Sequence, residues 1–281
     1  MTGDVVRQWR EAAGTAGPAG PAASAGSVGD AGVVLLDGFH ALKHALRFGA
    51  RVRIAVTTSR ADALALAGEL APDLAARLDG LLTEVPDREL RELVPRRHPT
   101  GVAALADRAE PATVRAALRA PRSAPVVVLD NPRNLGNVGA VVRLAAGMGA
   151  TGVVTTGDTD PWHPNAVRGA AGLHYATAVA RLPLGELADA APGPLYALDP
   201  AGADLRTLRL PADALLAFGS ERHGISPDLR ARADRLVSLP MRPQVSSYNL
   251  ATSVAMALYH WSLGAGPDAP GPIGPAGPPV P

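Results

Sequence analysis

Ala124-Pro125-Val126-Val127-Val128-Leu129-Asp130-Asn131-Pro132-Arg133-Asn134-Leu135-Gly136-Asn137-Val138-Gly139-Ala140-Val141-Val142-Arg143 decides the fold class. The four apolar residues 126–129 run without polar alternation, the pattern of a strand covered on both faces of a parallel sheet. A Gly/Asn-rich turn follows, and then a helix over 137–148. The same strand-then-helix alternation continues to the end of the chain. Strands are expected at 152–155, 195–198, 215–218 and 235–239, and helices at 164–171, 184–190, 227–233 and 248–263. The last helix carries Leu250, Val254, Leu258 and Trp261 at three- to four-residue spacing, an apolar face that must be buried. The second half is thus an α/β domain with a mainly parallel sheet.

Upstream, residues 33–122 read as shorter alternating elements. Phe39, Leu42, Ala45 and Leu46 form a helical stripe that stops at Gly49, and Val52, Ile54 and Val56 alternate as a strand. A helix at 61–70, a strand at 81–85, a helix at 87–94 and a strand at 101–106 complete a small α/β unit. Residues 110–123, rich in Ala and Arg and flanked by Pro111, Pro121 and Pro125, read as a linker. The ends differ in composition from the rest. Much of the chain's 30 Gly and 27 Pro lies in residues 264–281 and in the Ala/Gly/Pro/Ser stretch 11–32. Neither has a three-residue period, so both read as disordered tails, not collagen. The expected division is a tail at 1–32, a small domain at 33–108, a linker at 109–123, the main domain at 124–263 and a tail at 264–281.

The chain has no Cys, which rules out disulfides, thiol nucleophiles and Cys-ligated metals, and the cytoplasm is the expected compartment. No apolar run is long enough to span a bilayer, and residues 1–10 lack an apolar signal segment. Net charge is only +1, and Lys43 is the sole lysine against 26 arginines. GC-rich codon usage accounts for that abundance, so only clustering of arginines is informative. Residues 38–60 hold Lys43, Arg47, Arg51, Arg53 and Arg60 with no acid, the best candidate for a nucleic-acid face, with Arg96 and Arg97 second. The sequence has no G-x-G-x-x-G after a strand, and the residue after Lys43 is His44, which excludes a Walker loop. His40 and His44 share a helix face without a carboxylate, so no metal site is expected.

Three segments at strand C-terminal ends stand out, where open α/β sheets bind ligands. The first is the turn and helix holding Asn137 and Arg143, about 1.7 turns apart. The second is Gly219-Ser220-Glu221-Arg222-His223-Gly224-Ile225-Ser226, whose glycines admit close backbone approach. Glu221 there is open to reading as a solvated or capping acid, and Ser226 or Asp228 as the cap of the next helix. The third is 239–255, from Leu239 through Ser247, Tyr248 and Asn249, where Ser246 or Ser247 reads equally as an N-cap.

In order, these segments resemble the three motifs of the SpoU (TrmH-like) RNA ribose 2′-O-methyltransferases of the SPOUT superfamily. N-x-G-x-x-x-R matches Asn137, Gly139 and Arg143; G-x-E-x-x-G matches Gly219, Glu221 and Gly224; P-M followed by S-L-N matches Pro240, Met241, Ser247 and Asn249. Pro243 stands where the family usually has Gly, and Tyr248 where it has Leu. Residues 33–106 resemble the L30e-like substrate-binding domain often attached to this family. The resemblance implies a deep trefoil knot, a homodimer formed through the last helix, and S-adenosyl-L-methionine held bent by main-chain contacts at Gly219, Leu239 and Tyr248. It further implies Arg143 at the ribose oxygen, with Asn137, Glu221, Ser247 and Asn249 orienting it, and an RNA substrate, ribosomal in preference to transfer RNA. Against a non-catalytic RNA binder stands the retention of Arg143 and Asn249; against a small-molecule nucleotide enzyme stands the missing phosphate-cradling motif.

Overall fold

Two sheets organise the chain. The computed structural model describes residues 2–14 and 32–264; all but Gly264 of the expected tail at 264–281, and most of that at 1–32, lie outside the described residues. Through the first half the elements are α1 (Thr2–Ala12), β1 (Val33–Asp37), α2 (Phe39–Arg47), β2 (Val52–Thr57), α3 (Arg60–Leu70), α4 (Ala75–Leu81), β3 (Leu82–Glu84), α5 (Asp87–Leu93) and β4 (Val102–Asp107). They continue with α6 (Pro111–Arg119), β5 (Val126–Leu129), α7 (Leu135–Gly147), β6 (Gly152–Thr155), α8 (Pro164–Gly169), β7 (Ala178–Arg181) and α9 (Leu187–Ala190). The last are β8 (Leu195–Asp204), β9 (Leu215–Phe218), α10 (Pro227–Arg232), β10 (Arg235–Ser238) and α11 (Leu250–Gly264). The chain divides into unit 1, Met1–Glu110 with Trp162–Ala176, and unit 2, Pro111–Pro161 with Thr177–Pro281.

Unit 1 is built on a four-stranded mixed sheet of order β1-β4-β2-β3, in which β4 runs antiparallel to both neighbours and β2 pairs parallel with β3. Val33, Leu35, Val56, Ala103 and Leu105 form one face of its core. Trp9, only 3% exposed, packs into that core beside Val85, Leu90 and Val94. This corrects the expected tail at its start: residues 2–12 are helical, because Trp9 and Val5 give α1 an apolar face with something to cover. The segment Trp162–Ala176 also belongs to unit 1. It packs α8 beside β1, ion-pairs Arg168 with Asp37 at 3.0 Å and donates the Tyr175 hydroxyl to the Asp107 carbonyl at 2.8 Å. At Gly172 (φ +75°) a Cβ would stand 2.4 Å from the Ala41 carbonyl oxygen, so this segment meets α2 backbone to backbone.

Unit 2 has a six-stranded, all-parallel sheet of order β10-β8-β9-β5-β6-β7. Strand β5 is buried throughout, as its unbroken apolar run requires. The chain steps from β5 to β6 and β7 on one side, then returns to place β9 on the other, so direction reverses between β5 and β9. That reversal is where α/β sheets open a crevice. One expectation is revised here. The linker at 109–123 is largely α6, with Val114 and Leu118 buried; Pro111 sits in its first turn, where a missing N–H costs nothing. On α11, Leu250, Val254, Leu258 and Trp261 are buried within unit 2, where α11 packs on α7, while Tyr259 and Leu263 are exposed.

The basic run of unit 1 is also revalued. The Arg47 guanidinium lies 2.5 Å from Asp73 and that of Arg60 2.7 Å from Asp79, while Arg51 and Arg53 both face Asp107. Lys43 is buried. The acids that neutralise this run come from distant positions, so a local charge count overstates it. Arg97 is likewise 2.6 Å from Asp87.

Burial pushes the His44 and His98 imidazoles below their usual value of 6.5, and the His44 Nδ1–H donates to the Ala171 carbonyl at 2.8 Å. The unfolded chain therefore takes up protons near pH 6.5 that the folded chain resists. The stability held above that pH is lost as pH falls through it. Unit 1 should need less urea to unfold at pH 5.5 than at 7.5, with a shallower pH dependence in His44→Gln. Trp9→Ala should lower the unfolding free energy of unit 1 by about 3 kcal/mol, read from urea titration of the full chain.

Candidate active site

Three loops leave the C-terminal ends of β5, β9 and β10, and specific side chains join them. Asn134 caps α7: its Oδ1 accepts from the amides of Gly136 (2.9 Å) and Asn137 (3.2 Å), so the helix starts at Leu135, two residues before the expected start. Asn137 thereby lies in the first turn, facing the other loops. Its Nδ2 donates to Glu221 Oε1 at 2.7 Å, and its Oδ1 accepts from Asn249 Nδ2 at 3.3 Å. The result is a relay from Asn249 through Asn137 to the Glu221 carboxylate, each amide oriented by the next. A charged acceptor at the end of such a chain strengthens it.

Asn249 has a second task. Its Oδ1 accepts from the amides of Ala251 (2.9 Å) and Thr252 (3.4 Å), so Asn249, not Ser246 or Ser247, is the N-cap of α11. The helix accordingly begins at Leu250. One asparagine thus fixes the start of α11 and binds the first motif. Ser226 is the cap of α10, its Oγ accepting from the Leu229 amide at 3.3 Å.

The second loop is a tight backbone knuckle. Ser220 and Gly224 exchange both backbone hydrogen bonds, at 3.0 and 2.9 Å. A Cβ at Gly219 would lie 1.9 Å from the Gly224 carbonyl carbon, a collision with backbone that nothing nearby can relieve. Glycine is therefore required there, and Glu221 projects from the knuckle toward Asn137. The third loop, 239–249, is neither helix nor strand. The Tyr248 hydroxyl donates to the Pro240 carbonyl at 3.1 Å and closes it across its base. Within 239–248, among the described residues, the main chain makes one backbone hydrogen bond, Val245 N–H to Arg242 C=O, so most of its amides and carbonyls remain available. Gln244, directly after Pro243, takes φ +73°.

Beneath the loops sits Asp130, 4% exposed, a residue its sequence context did not single out. Its Oδ1 accepts from the Thr156 hydroxyl (2.8 Å) and its Oδ2 from the Ser226 amide (2.7 Å), while Thr156 Oγ1 in turn accepts from the Asn131 amide (3.1 Å). One carboxylate so ties the ends of β5 and β6 to the far end of the second loop. The one available sequence signal was an acid directly after a wholly buried strand.

Of the eight residues expected at the site, Asn137, Glu221 and Asn249 are hydrogen-bonded together. Gly219 builds the knuckle, Leu239 follows the end of β10, and Tyr248 closes the third loop. Ser247 and Arg143 are exposed and outside this relay; the Arg143 guanidinium has no hydrogen-bonding or ionic partner among the described residues. Six residues on from Asn137, Arg143 points from a different face of α7. Also among the described residues, no group of three His, Asp or Glu side chains is placed to hold a metal ion.

Residues 124–259 match the SpoU rRNA Methylase family. Two relatives are named for their activity. A 23S rRNA (uridine(2479)-2′-O)-methyltransferase of Streptomyces viridochromogenes is 31% identical over 144 residues, 47% of this chain and 50% of that protein. A 23S rRNA (adenosine(1067)-2′-O)-methyltransferase of Streptomyces azureus is 28% identical over 154 residues, 50% of this chain and 55% of that protein. The sequence match spans about half the length of these curated relatives. The fold extends further. The crystal structure of the SpoU methyltransferase AviRb from Streptomyces viridochromogenes aligns over 92% of this chain and 96% of its own, with TM-score 0.71 and 24% identity. An AdoMet-bound rRNA methyltransferase from Sinorhizobium meliloti aligns over 94% and 95%, also with TM-score 0.71 and 24% identity.

In unit 2, removing the Asp130 carboxylate leaves the Ser226 amide and the Thr156 hydroxyl without their acceptor. Asp130→Ala should lower the stability of unit 2 by about 2–3 kcal/mol, measured by urea titration. Asp130→Asn, which keeps one acceptor and adds a donor, should recover most of that loss.

Proposed function

We propose that the protein is an S-adenosyl-L-methionine-dependent RNA 2′-O-methyltransferase that modifies a ribose of ribosomal RNA. The observation that carries this reading is the hydrogen-bonded relay Asn249–Asn137–Glu221, which links all three family motifs at the end of a parallel sheet. The named activities of the 23S rRNA relatives support the ribosomal substrate and the position of the methylated oxygen.

The residues present fit the cofactor. The 239–248 loop offers unused main-chain donors and acceptors, and the Gly219 knuckle lets backbone approach a ligand closely, which suits an adenosine held by main-chain contacts at Gly219, Leu239 and Tyr248. When bound, S-adenosylmethionine supplies a methyl group on a cationic sulfur. The chain's own contribution is geometric and electrostatic. Arg143 faces solvent without a competing carboxylate, ready to hold an RNA phosphate and to stabilise the negative charge that grows on the attacking ribose oxygen. An arginine stays protonated in proteins, so it stabilises charge instead of accepting the proton. Asn137, in the first turn of α7 and bonded to Glu221, and Asn249, the cap of α11, are bonded to each other; they hold the starts of the two helices together and so set the distance between the ribose and the third loop, where alignment governs the rate. Ser247 adds a hydroxyl beside Asn249.

The remaining parts of the reading follow the family. A deep trefoil knot threaded through the second and third loops, a homodimer formed through α11, an L30e-like RNA-recruiting role for unit 1 and a cytoplasmic location are proposed with it. No helix among the described residues is long and apolar enough to cross a membrane.

Calorimetry should show binding of S-adenosylmethionine by the full chain, and nucleoside mass spectrometry of ribosomal RNA from cells with and without the gene should show one 2′-O-methylated nucleoside that depends on it. Arg143→Ala should lower methyl transfer by at least a hundredfold while leaving the thermal melt in place. Full activity in that variant would refute the assigned role.

A further inference from the structure

The loops of the candidate site carry their charge differently from the basic run of unit 1. In unit 1, Arg47, Arg51, Arg53, Arg60, Arg97 and Arg168 are each ion-paired. The three loops of the candidate site show the reverse. Across 130–143, 219–226 and 239–249 the acids are Asp130, buried and doubly hydrogen-bonded, and Glu221, engaged by Asn137. Against them, besides Arg143, stand Arg133, Arg222 and Arg242, all exposed, none with a guanidinium engaged in an ion pair or hydrogen bond among the described residues.

Their placement is not random. Arg133 precedes Asn134, the cap of α7; Arg222 follows Glu221; Arg242 lies two residues past Pro240, whose carbonyl takes the Tyr248 hydroxyl. Arg133 and Arg222 thus each adjoin a residue fixed by the hydrogen-bond network, and Arg242 extends from a loop closed across its base by the Tyr248 hydroxyl. A guanidinium with no internal partner keeps its donors free for a phosphate, and a rigid base limits the entropy lost when it engages one.

We infer that Arg133, Arg222 and Arg242 form a three-pronged grip on the sugar–phosphate chain of the RNA around the target ribose, and that the electrostatic part of RNA binding resides in these loops, not in the basic run of residues 43–60. The inference rests on the RNA-methyltransferase reading. Guanidinium groups with no internal partner can meet phosphates without giving anything up, whereas the paired arginines of unit 1 would have to break ion pairs before they bound phosphate.

The test uses the full chain and a protein-free 23S ribosomal RNA transcript as probe, with affinity measured between 50 and 300 mM salt. The triple variant Arg133→Ala, Arg222→Ala, Arg242→Ala should bind roughly ten- to a hundredfold more weakly at low salt, and its log affinity against log salt should flatten by about two to three. The corresponding triple Lys variant should regain most of the slope, because phosphate attraction needs the charge; it also serves as a folding control alongside circular dichroism. Arg51→Ala with Arg53→Ala should leave the slope within error of wild type. An unchanged slope in the triple Ala variant, no recovery with Lys, or flattening in the Arg51/Arg53 variant instead would each overturn the inference. Failure of the underlying reading is separable: it would appear in the wild-type chain as absent S-adenosylmethionine binding by calorimetry.

Discussion

The carboxylate of Asp130 is the constraint on which the site depends. Buried without a cation beside it, it is held by two neutral donors, the Thr156 hydroxyl and the Ser226 amide, that lie 26 and 96 residues away. Desolvating a carboxylate is costly unless its lone pairs are used. The arrangement is therefore stable only when the ends of β5 and β6 and the exit of the second loop are in register. Through Ser226 this reaches α10, and through the knuckle at Gly219 it sets where Glu221 stands. The Asn137 amide then needs only to meet a carboxylate already in place.

Above that base, the site is assembled by residues that do two things at once. Asn249 begins a helix with one side-chain atom and grips the first motif with the other. Asn137 accepts from one loop and donates to another. Such sharing lowers the number of side chains that must be ordered, and it makes helix starts part of the active-site geometry. A shift of either α7 or α11 along its axis would break the relay before it disturbed the apolar packing between them.

What the sequence made legible, and what it hid, follows from the range of the interactions. Strands β5, β6 and β9 are apolar runs buried on both sides, a signal contained in four residues each, and they appear where periodicity puts them. The motif residues could be named one by one because family spacing is local. Helix α6 was hidden by Pro111, which reads as a breaker but opens the helix, and α1 by its dependence on a single Trp9 with a surface to fill. Strand β7 was missed as a short mixed segment, Ala178–Arg181, at the sheet edge. Asp130 and the neutralisation of Arg47, Arg53 and Arg60 were out of reach because their partners come from remote positions. Charge in particular is a property of the folded surface, and the run at 43–60 changes meaning once Asp73, Asp79 and Asp107 arrive.

The excursion of residues 162–176 into unit 1 bears on how the protein is made. An N-terminal unit complete in one stretch can fold as soon as it clears the ribosome. Here β1 and α2 must wait for Arg168, Gly172 and Tyr175, which are translated only after β5, α7 and β6 of the other unit. Maturation of the two units is thereby interleaved during synthesis, and a gene fragment ending near residue 110 encodes a unit 1 lacking one of its walls.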